Sequence, residues 1–299
     1  MDRDDFIIFV YCLVSEFYGT VIRDHRLRKR GPLPELTDEE VITIEICGEF
    51  LGFHDDKAIF AYFRTHYGAW FPALRERTTF VRQAANLWQV KVLIQQHIVS
   101  ISGQHHDERQ IIDTAPLPVC EYVRSRRDKC FPTEADYGYC AAKKMHYYGF
   151  KLGLRISRLG MITHFDLLPA RPHDIQLLDD LLGGFYGHTI LSDKGFIDAY
   201  RQAALLANRG ITLVAGVRKN MAPLSMPKSL QLQFRRWRKK IETVISQLAG
   251  RFQIERIRVR DLWHFQSRLA RKILSHTICV YINLLLERPP LDFGSLIST

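Results

Sequence analysis

The sequence lacks the features of secreted, disulfide-stabilised and membrane-spanning proteins. Its six cysteines are scattered and form no CxxC pair, which argues for a reducing compartment and against a disulfide framework. The apolar run at 6–15 follows an acidic start, whereas a secretory leader begins with basic residues. The apolar run at 277–286 is shorter than the ~18 residues that cross a membrane. These absences predict a cytoplasmic protein without a membrane partner.

Acidic residues are scarce relative to basic ones. The chain has 42 Lys and Arg against 32 Asp and Glu, so its formal net charge is +10. An excess of this size favours a polyanionic partner, most commonly nucleic acid. Between Arg218 and Arg260 there are twelve basic residues and two acidic ones, whereas a solvated helix face usually mixes both signs. This basic strip predicts a surface that binds nucleic-acid phosphates.

No internal repeat or low-complexity tract interrupts the chain, and residues 1–105 have a helical pattern. Thr37 and Glu40 have the spacing of a capping box, which predicts a helix start. Two more helices are expected through DKAIFAYFRTHYG and FVRQAANLWQVKVLIQQHIVS. Short helices joined by tight turns fit a helix-turn-helix module and a plain helical bundle equally well. We therefore predict an all-helical N-terminal domain, with DNA binding as its expected role.

A β-strand pattern begins near residue 109. RQIIDTAPLPVC, FKLGLRIS and MITHFDLLPA are typical of strands with short links, and two further strands, TILSD and ITLVAGVR, alternate with helices. The three leading strands should form an antiparallel meander, and the later ones should add in parallel through right-handed crossovers. The predicted fold class is therefore α/β, a ribonuclease-H-like mixed five-stranded sheet flanked by helices. This domain covers residues 106–299 and includes a C-terminal helix.

Two aspartates occupy neighbouring strands of that layout. Asp113 lies in the first strand and Asp193 ends the fourth, so the two carboxylates can meet although they are distant in sequence. Like charges at such range repel, and a divalent cation that bridges them makes the pair tolerable. Each aspartate alone also has an ordinary interpretation as a turn residue that bonds its own backbone. Gly195 suits such a turn after Asp193.

A third carboxylate, Glu242, lies on the long basic helix. Helical periodicity places it at the edge of an apolar stripe, from which its side chain can reach the strand ends. Arg238, one turn earlier, either holds Glu242 or contacts phosphate. The ordinary alternative is a surface ion pair worth ~0.3–0.5 kcal/mol. Three acids at the expected places of one topology favour a metal site over three unrelated surface residues.

These residues belong to a longer pattern. From about residue 105 to residue 286 the chain resembles the DDE-type transposases of bacterial insertion sequences. The matching stretches are IIDTAPLPVC, KMHYYGFKLGLRIS, LLPARPHD, ILSDKGF, RWRKKIETVISQL and FQSRLARKILSHTICVYINLL. The resemblance implies that Asp113, Asp193 and Glu242 are the catalytic, metal-binding acids.

The resemblance extends to one further element and fails at two positions. His173 and Asp174 match a recurrent element of these enzymes, although Asp174 equally suits a helix N-cap. Arg235 stands where many relatives have Tyr, and Ala249 stands where they have Lys. The third acid therefore has an alternative in Glu255.

The function implied is DNA transposition. Two Mg²⁺ ions, which Mn²⁺ can replace, would support strand cleavage at insertion-sequence ends and strand transfer into target DNA. The expected partners are double-stranded DNA, as terminal inverted repeats and as target, and a second copy of the chain on that DNA. No small-molecule cofactor is expected, and the place of action is the bacterial cytoplasm, at the nucleoid. The expected DNA contacts are Lys194, Arg235, Arg236, Arg238, Lys239 and Lys240.

Two other functions remain open at this point. A ribonuclease-H-like nuclease would cut DNA with the same carboxylates without joining the ends. A non-catalytic derivative would bind DNA as a regulator, with no need for metal. Assaying hydrolysis and strand joining side by side distinguishes all three.

Overall fold

The computed structural model of the chain describes residues 1–23, 32–127, 130–141, 143–215 and 228–297. Their α-helices are α1 (Arg3–Ile22), α2 (Asp38–Phe50), α3 (Asp56–His66), α4 (Arg77–Asn86), α5 (Trp88–Ile101), α6 (Leu178–Leu181), α7 (Ala199–Arg209), α8 (Lys228–Gly250) and α9 (Leu262–Leu285). Their β-strands are β1 (Arg109–Cys120), β2 (Asp136–Cys140), β3 (Met145–Ile156), β4 (Ile162–Pro169), β5 (Thr189–Ser192) and β6 (Thr212–Ala215). Two compact units result: a helical unit of residues 1–102 and 247–299, and a sheet unit of residues 103–246.

The N-terminal part of the chain is helical, as the sequence predicts. At the start of α2, the Glu40 N–H donates to Thr37 Oγ1 at 3.2 Å and the Thr37 N–H donates to Glu40 Oε2 at 2.7 Å. The predicted capping box is thereby confirmed. The single helix predicted over FVRQAANLWQVKVLIQQHIVS is wrong, because Leu87 separates α4 from α5. The Leu87 N–H bonds the Ala84 carbonyl three residues back, and the α-helical ladder stops there.

The C-terminal helix belongs to the helical unit. α9 packs against α2 and α5, and its Arg271 side chain is fully buried. The guanidinium of Arg271 pairs with Glu49 at 2.7 Å and with Glu45 at 3.2 Å, both on α2. Buried cations on α9 and buried acids on α2 therefore hold the two ends of the chain in one unit. The boundary predicted near residue 105 had instead grouped this C-terminal segment with the sheet.

α1 is long and apolar enough to cross a membrane by length and composition. Its best window has a mean hydropathy of 1.6, and one third of that window is buried inside the protein. Phe6, Val10 and Val14 on this helix are fully buried. The core helix of a soluble protein passes the same test, so the helix by itself is weak evidence for a membrane span.

One mixed sheet forms the second unit. Within the described residues the order of its strands is β2-β3-β1-β5-β6. β4 stands outside this order and, like β2, pairs with β3. The predicted meander is present, since β1, β3 and β4 are antiparallel and Ser157 and Met161 close the hairpin between β3 and β4. The sequence predicted five strands and missed β2, a short edge strand. The sheet and its helices confirm the ribonuclease-H-like fold class.

The later strands pair in parallel, as predicted. β1 pairs with β5, and β5 pairs with β6. Gly210 follows the last residue of α7, and its φ of +63° lies in the left-handed region that favours glycine at a helix end. Residues 216–218 of the predicted last strand lie outside the described residues. The apolar core on this side of the sheet contains Ile112, Leu177, Leu181, Phe185, Ile190, Phe196, Ile211 and Leu213.

Candidate active site

Asp113 and Asp193 emerge side by side from β1 and β5. The last residues that pair between these parallel strands are Ile112 and Ser192. Asp113 and Asp193 follow them directly, so the two aspartates lie opposite each other where the pairing ends. Neighbouring strands lie ~4.8 Å apart, which brings the two carboxylates to one point of the sheet. β5 ends there while β1 continues, paired with β3, and this leaves a notch beside Asp113. A small pocket at the notch is lined by Ile111, Ile112, Asp113, Leu191, Ser192, Asp193, Arg238 and Ile241.

The environment of Asp113 disfavours its charged form. Burial, with the nearby carboxylates of Asp193 and Asp174, raises its pKa from 3.8 to about 7. The Thr114 N–H, which donates to Asp113 Oδ1 at 2.8 Å, and the Arg238 guanidinium lower this pKa, but not enough to offset burial. Several carboxyl groups therefore lie close together around Asp113.

Arg238 on α8 connects the other two candidate acids. Its Nη1 lies 3.4 Å from Asp193 Oδ1, and its Nε donates to Glu242 Oε1 at 3.1 Å. The second contact confirms the prediction that Arg238 holds Glu242. About half of each of the three side chains is exposed, so these ion pairs add little stability and the guanidinium can turn away.

The structure thus brings Asp113 and Asp193 together and links Glu242 to them through a guanidinium group. Within the described residues, no three His, Cys, Asp or Glu side chains lie close enough together to hold a metal ion. The alternative third acid, Glu255, lies in a short turn of the helical unit. Neither assignment of the third acid is tested by this arrangement, and both stay predictions.

Asp174 reaches the same region from the other side. Its Oδ1 pairs with Lys151 Nζ at 2.7 Å, and this lysine also donates to the Pro172 carbonyl at 2.7 Å. The predicted N-cap role of Asp174 is wrong, because His173 is the N-cap and its Nδ1 accepts from the Ile175 N–H at 3.4 Å. Asp174 begins the helical turn, and its carboxylate is directed to the lysine instead.

Gly195 has a different role from the one the sequence indicated. Its φ is not in the left-handed region, so the turn after Asp193 does not require glycine. A Cβ atom at Gly195 would lie 2.7 Å from Asp174 Oδ2. Glycine therefore leaves the room that lets the loop after β5 approach the Asp174 carboxylate.

The predicted DNA contacts lie mostly at exposed positions. Arg235, Arg236 and Lys239 are exposed on α8, and Lys194 is exposed in the turn after β5. Lys240 differs, because its Nζ donates to the Arg158 carbonyl at 2.5 Å and burial lowers its pKa. The part of the basic strip at 218–227 lies outside the described residues.

Sequence reasoning missed Lys151 entirely. The residue stands in KMHYYGFKLGLRIS without any neighbouring motif, and its role depends on the pairing of β1 with β3 and on the loop that follows β4. The contact of Arg238 with Asp193 was also not foreseen, since a helical spacing predicts only the i, i+4 contact with Glu242.

Comparison with known proteins connects this geometry to one family. Residues 103–262, more than half of the chain, match the family model described as "Transposase DDE domain". The matched region contains Asp113, Asp193, Glu242 and Glu255. No curated protein and no solved structure matches the chain.

Proposed function

The chain belongs to the transposase DDE domain family, and on this premise we propose that it cuts DNA at the ends of a mobile element and joins them to target DNA. The observation that carries this proposal is the register of β1 and β5, which sets Asp113 beside Asp193 at the end of the shorter strand. Glu242, which accepts a hydrogen bond from Arg238, is the proposed third acid. All three acids come from different elements, as a site assembled by the fold requires.

The donor set fits hard divalent cations. All three side chains offer only carboxylate oxygens, which Mg²⁺ and Mn²⁺ prefer, and the half-exposed positions leave space for the waters that Mg²⁺ retains. A cation beside Asp113 would offset the effects that raise its pKa and would favour its charged, metal-binding form. When bound, two such ions lower the pKa of a water or a DNA 3′-hydroxyl and stabilise the leaving oxygen.

The chain's own residues would position the DNA and the acids. Asp113 is held on a central strand, so its carboxylate has a defined position before DNA arrives. Arg238 would leave Asp193 and Glu242 to contact a DNA phosphate, which frees both acids together. Lys194, Arg235, Arg236 and Lys239 would hold neighbouring phosphates. Hydrolysis of one strand and attack by the freed 3′-end would follow at the same acids, without a covalent protein–DNA intermediate.

The reaction implies further partners. The substrate would be double-stranded DNA with terminal inverted repeats, followed by target DNA. Because both ends of an element must be cut and joined together, we propose that a homodimer acts on DNA. Its place would be the bacterial cytoplasm, at the nucleoid.

The test uses a plasmid that carries the coding region with its flanking DNA. We expect Asp193→Asn to reduce Mg²⁺-dependent cleavage by more than about 100-fold, since even residues that only orient metal ligands contribute 10–100-fold. DNA affinity should stay unchanged. Asp179→Asn is the matched control, because Asp179 is exposed and pairs only with Arg201 among the contacts described here.

Three other results would contradict this proposal, each in a different way. Cleavage that survives Asp193→Asn or EDTA would refute the proposed metal site. Metal-dependent cleavage without joined product would identify a nuclease. DNA binding that ignores metal, with no cleavage at all, would identify a non-catalytic derivative.

A further inference from the structure

The hairpin of β2 and β3 carries a cluster of aromatic rings on one face. Tyr137 and Tyr139 are two residues apart on β2, so they share a face. Their partners across the hairpin are Tyr148 and His146. The ring centroids of these pairs lie 5.0 Å apart for Tyr137 and Tyr148, and 4.8 Å apart for Tyr139 and His146. The rings therefore form a continuous aromatic surface across the two strands.

Tyr122 adds a fifth ring from the turn that follows β1. Its centroid lies 5.7 Å from that of Tyr137, edge to face, and 5.6 Å from that of His146. Tyr148 anchors the group from below, because it is buried and its hydroxyl donates to the Phe131 carbonyl at 2.9 Å. We call Tyr122, Tyr137, Tyr139, His146 and Tyr148 the aromatic cluster.

Exposure separates this cluster from an ordinary packing motif. Cross-strand aromatic pairs do stabilise hairpins, and that role accounts for the buried Tyr148. However, Tyr139 is 56% exposed, Tyr122 is 48% exposed and Tyr137 is 37% exposed. Large ring surfaces therefore face solvent at a sheet edge, beyond what hairpin stability requires.

Two open pockets adjoin the cluster and share Tyr122 and Tyr137. One of them continues past Tyr139 and His146 to Lys151 and Asp174, at the candidate active site. The other is lined by Tyr122, Val123, Ser125, Arg126 and Tyr137. The aromatic cluster thus shares a pocket with Asp174, whose carboxylate lies against Gly195, two residues after Asp193.

The charges around the cluster indicate an anionic ligand. Two nearby acids are neutralised in ion pairs, Glu121 with Arg124 at 3.3 Å and Asp136 with Arg171 at 3.2 Å. Among the described residues of the same segments, Arg124, Arg126, Arg127, Lys143 and Lys144 are exposed basic side chains. Open aromatic faces with a basic rim are the combination that binds single-stranded nucleic acid. A paired base offers no free face, so the ligand has to be an unpaired base.

We propose that the aromatic cluster stacks an unpaired base of the DNA strand whose phosphate lies at the candidate acids. This inference rests on the proposed function for the identity of the nucleic acid. It assigns Tyr122 and Tyr139 as stacking residues, because they expose the most ring surface. The basic rim would hold the phosphates on either side of the stacked base.

The test measures the affinity of the full chain for two labelled single-stranded DNAs in the presence of EDTA. A short oligothymidylate and an abasic strand of equal length carry the same phosphates, so their affinities for the full chain differ only through the bases. We expect the full chain to bind oligothymidylate roughly 5- to 150-fold more tightly, the range for one stacked base. Tyr139→Ala should remove that preference and leave the affinity for the abasic strand unchanged. Tyr122→Ala, on a separate element, should do the same.

Two control variants define the outcome. Tyr139→Phe keeps the ring and should keep the preference, and Tyr200→Ala removes an 84% exposed tyrosine on α7 and should change nothing. Equal binding of both strands by the unmodified chain would overturn the proposal. So would a parallel loss for both strands in Tyr139→Ala and Tyr122→Ala, because that loss would come from the fold or from backbone contacts.

The proposed function can fail separately from this inference. The base preference needs neither metal nor cleavage, so Asp193→Asn should retain it. If cleavage proves metal-independent while the preference is present, the proposed function alone fails. If plasmid cleavage follows expectation and the preference is absent, the aromatic cluster has no role in stacking.

Discussion

At the scale of single residues, Asp113 is the candidate acid whose charged form is disfavoured by its surroundings. Burial and the neighbouring Asp193 raise its pKa from 3.8 to about 7. In the unfolded chain the same carboxyl group ionises near its ordinary pKa. The folded protein therefore binds more protons than the unfolded chain between about pH 4 and pH 7, and its stability falls as pH rises through that window. A divalent cation at the site would remove this cost.

The pKa of Asp113 predicts how the variant Asp113→Asn behaves without metal. We expect its melting temperature in EDTA to match that of the unmodified chain near pH 4. The difference should grow in favour of the variant up to about pH 7 and stay constant above. It should reach at least about 2 °C, the shift that ~1 kcal/mol causes in a domain of this size. Thermal unfolding at several pH values, with Asp179→Asn as a control, measures it; a difference independent of pH would contradict the assignment.

At the scale of elements, a buried charge network holds α2, α5 and α9 together. Glu49 on α2 pairs with Arg271 and with Lys272 on α9, and all three side chains are almost fully buried. Lys91 on α5 pairs with Glu45 on α2 at 2.6 Å, also without solvent. Charges in such a place are tolerated only in pairs, because a lone buried charge costs several kcal/mol. The network explains why α9 packs with α2, which lies more than two hundred residues away in sequence.

The network makes Glu49 a stability determinant of the helical unit. We expect Glu49→Gln to lower the free energy of unfolding by about 3–5 kcal/mol, because it leaves buried cations without their partner. Glu35→Gln breaks the exposed pair of Glu35 and Arg75 and should cost less than ~1 kcal/mol. Denaturant unfolding followed by circular dichroism compares the two; equal losses would show that the buried network adds nothing.

The same variant has a defined pH dependence. Burial raises the pKa of Glu49, but Arg271, Lys272 and the hydrogen bonds from His54 and Lys272 lower it to about 2 from 4.5. A carboxyl group with a lowered pKa stabilises the fold above its unfolded pKa and loses that contribution as pH falls through its folded pKa. The cost of Glu49→Gln should therefore be complete above about pH 5 and shrink toward pH 2.

At the scale of the whole molecule, the net charge of +10 predicts that DNA binding depends on salt. The exposed residues Arg235, Arg236 and Lys239 on α8 belong to the basic strip. Each phosphate contact releases counterions and contributes ~0.9 to the slope of log affinity against log salt. Under the proposed function, the charge would set how tightly DNA is held and the candidate acids would carry out its cleavage.

This predicts the effect of removing three positive charges from α8. The combined variant Arg235→Ala, Arg236→Ala and Lys239→Ala should reduce the salt slope by about 2–3 on non-specific duplex. A charge-matched variant in the helical unit, Lys57→Ala, Arg75→Ala and Arg77→Ala, measures the share of that unit, whose DNA-binding role stays a prediction. Fluorescence anisotropy between about 50 and 200 mM salt measures both slopes. If the second variant gives the larger loss, the helical unit carries the DNA contacts.

Sequence patterns alone predict most of the helices and strands and the positions of two candidate acids on them. The alternation of strands and helices after residue 109 predicts the mixed sheet, because crossover connections force the later strands to add in parallel. That layout already makes neighbours of the strands that carry Asp113 and Asp193. The capping box at Thr37 was equally readable, since it depends only on contacts within one turn.

Contacts that join distant segments are visible only in the folded chain. Lys151 meets Asp174, and Arg238 meets Asp193, because strand pairing and helix packing bring them together without any local signal. α9 joined the helical unit because its buried cations need the acids of α2, and hydrophobic periodicity along one helix does not reveal its partner. The edge strand β2 is too short to show a clear period, yet it builds the aromatic cluster. Helix caps and strand periodicity depend on contacts within one segment, so the sequence shows them. Contacts between distant segments depend on which side chains are buried together and on their charges, so they appear only after folding.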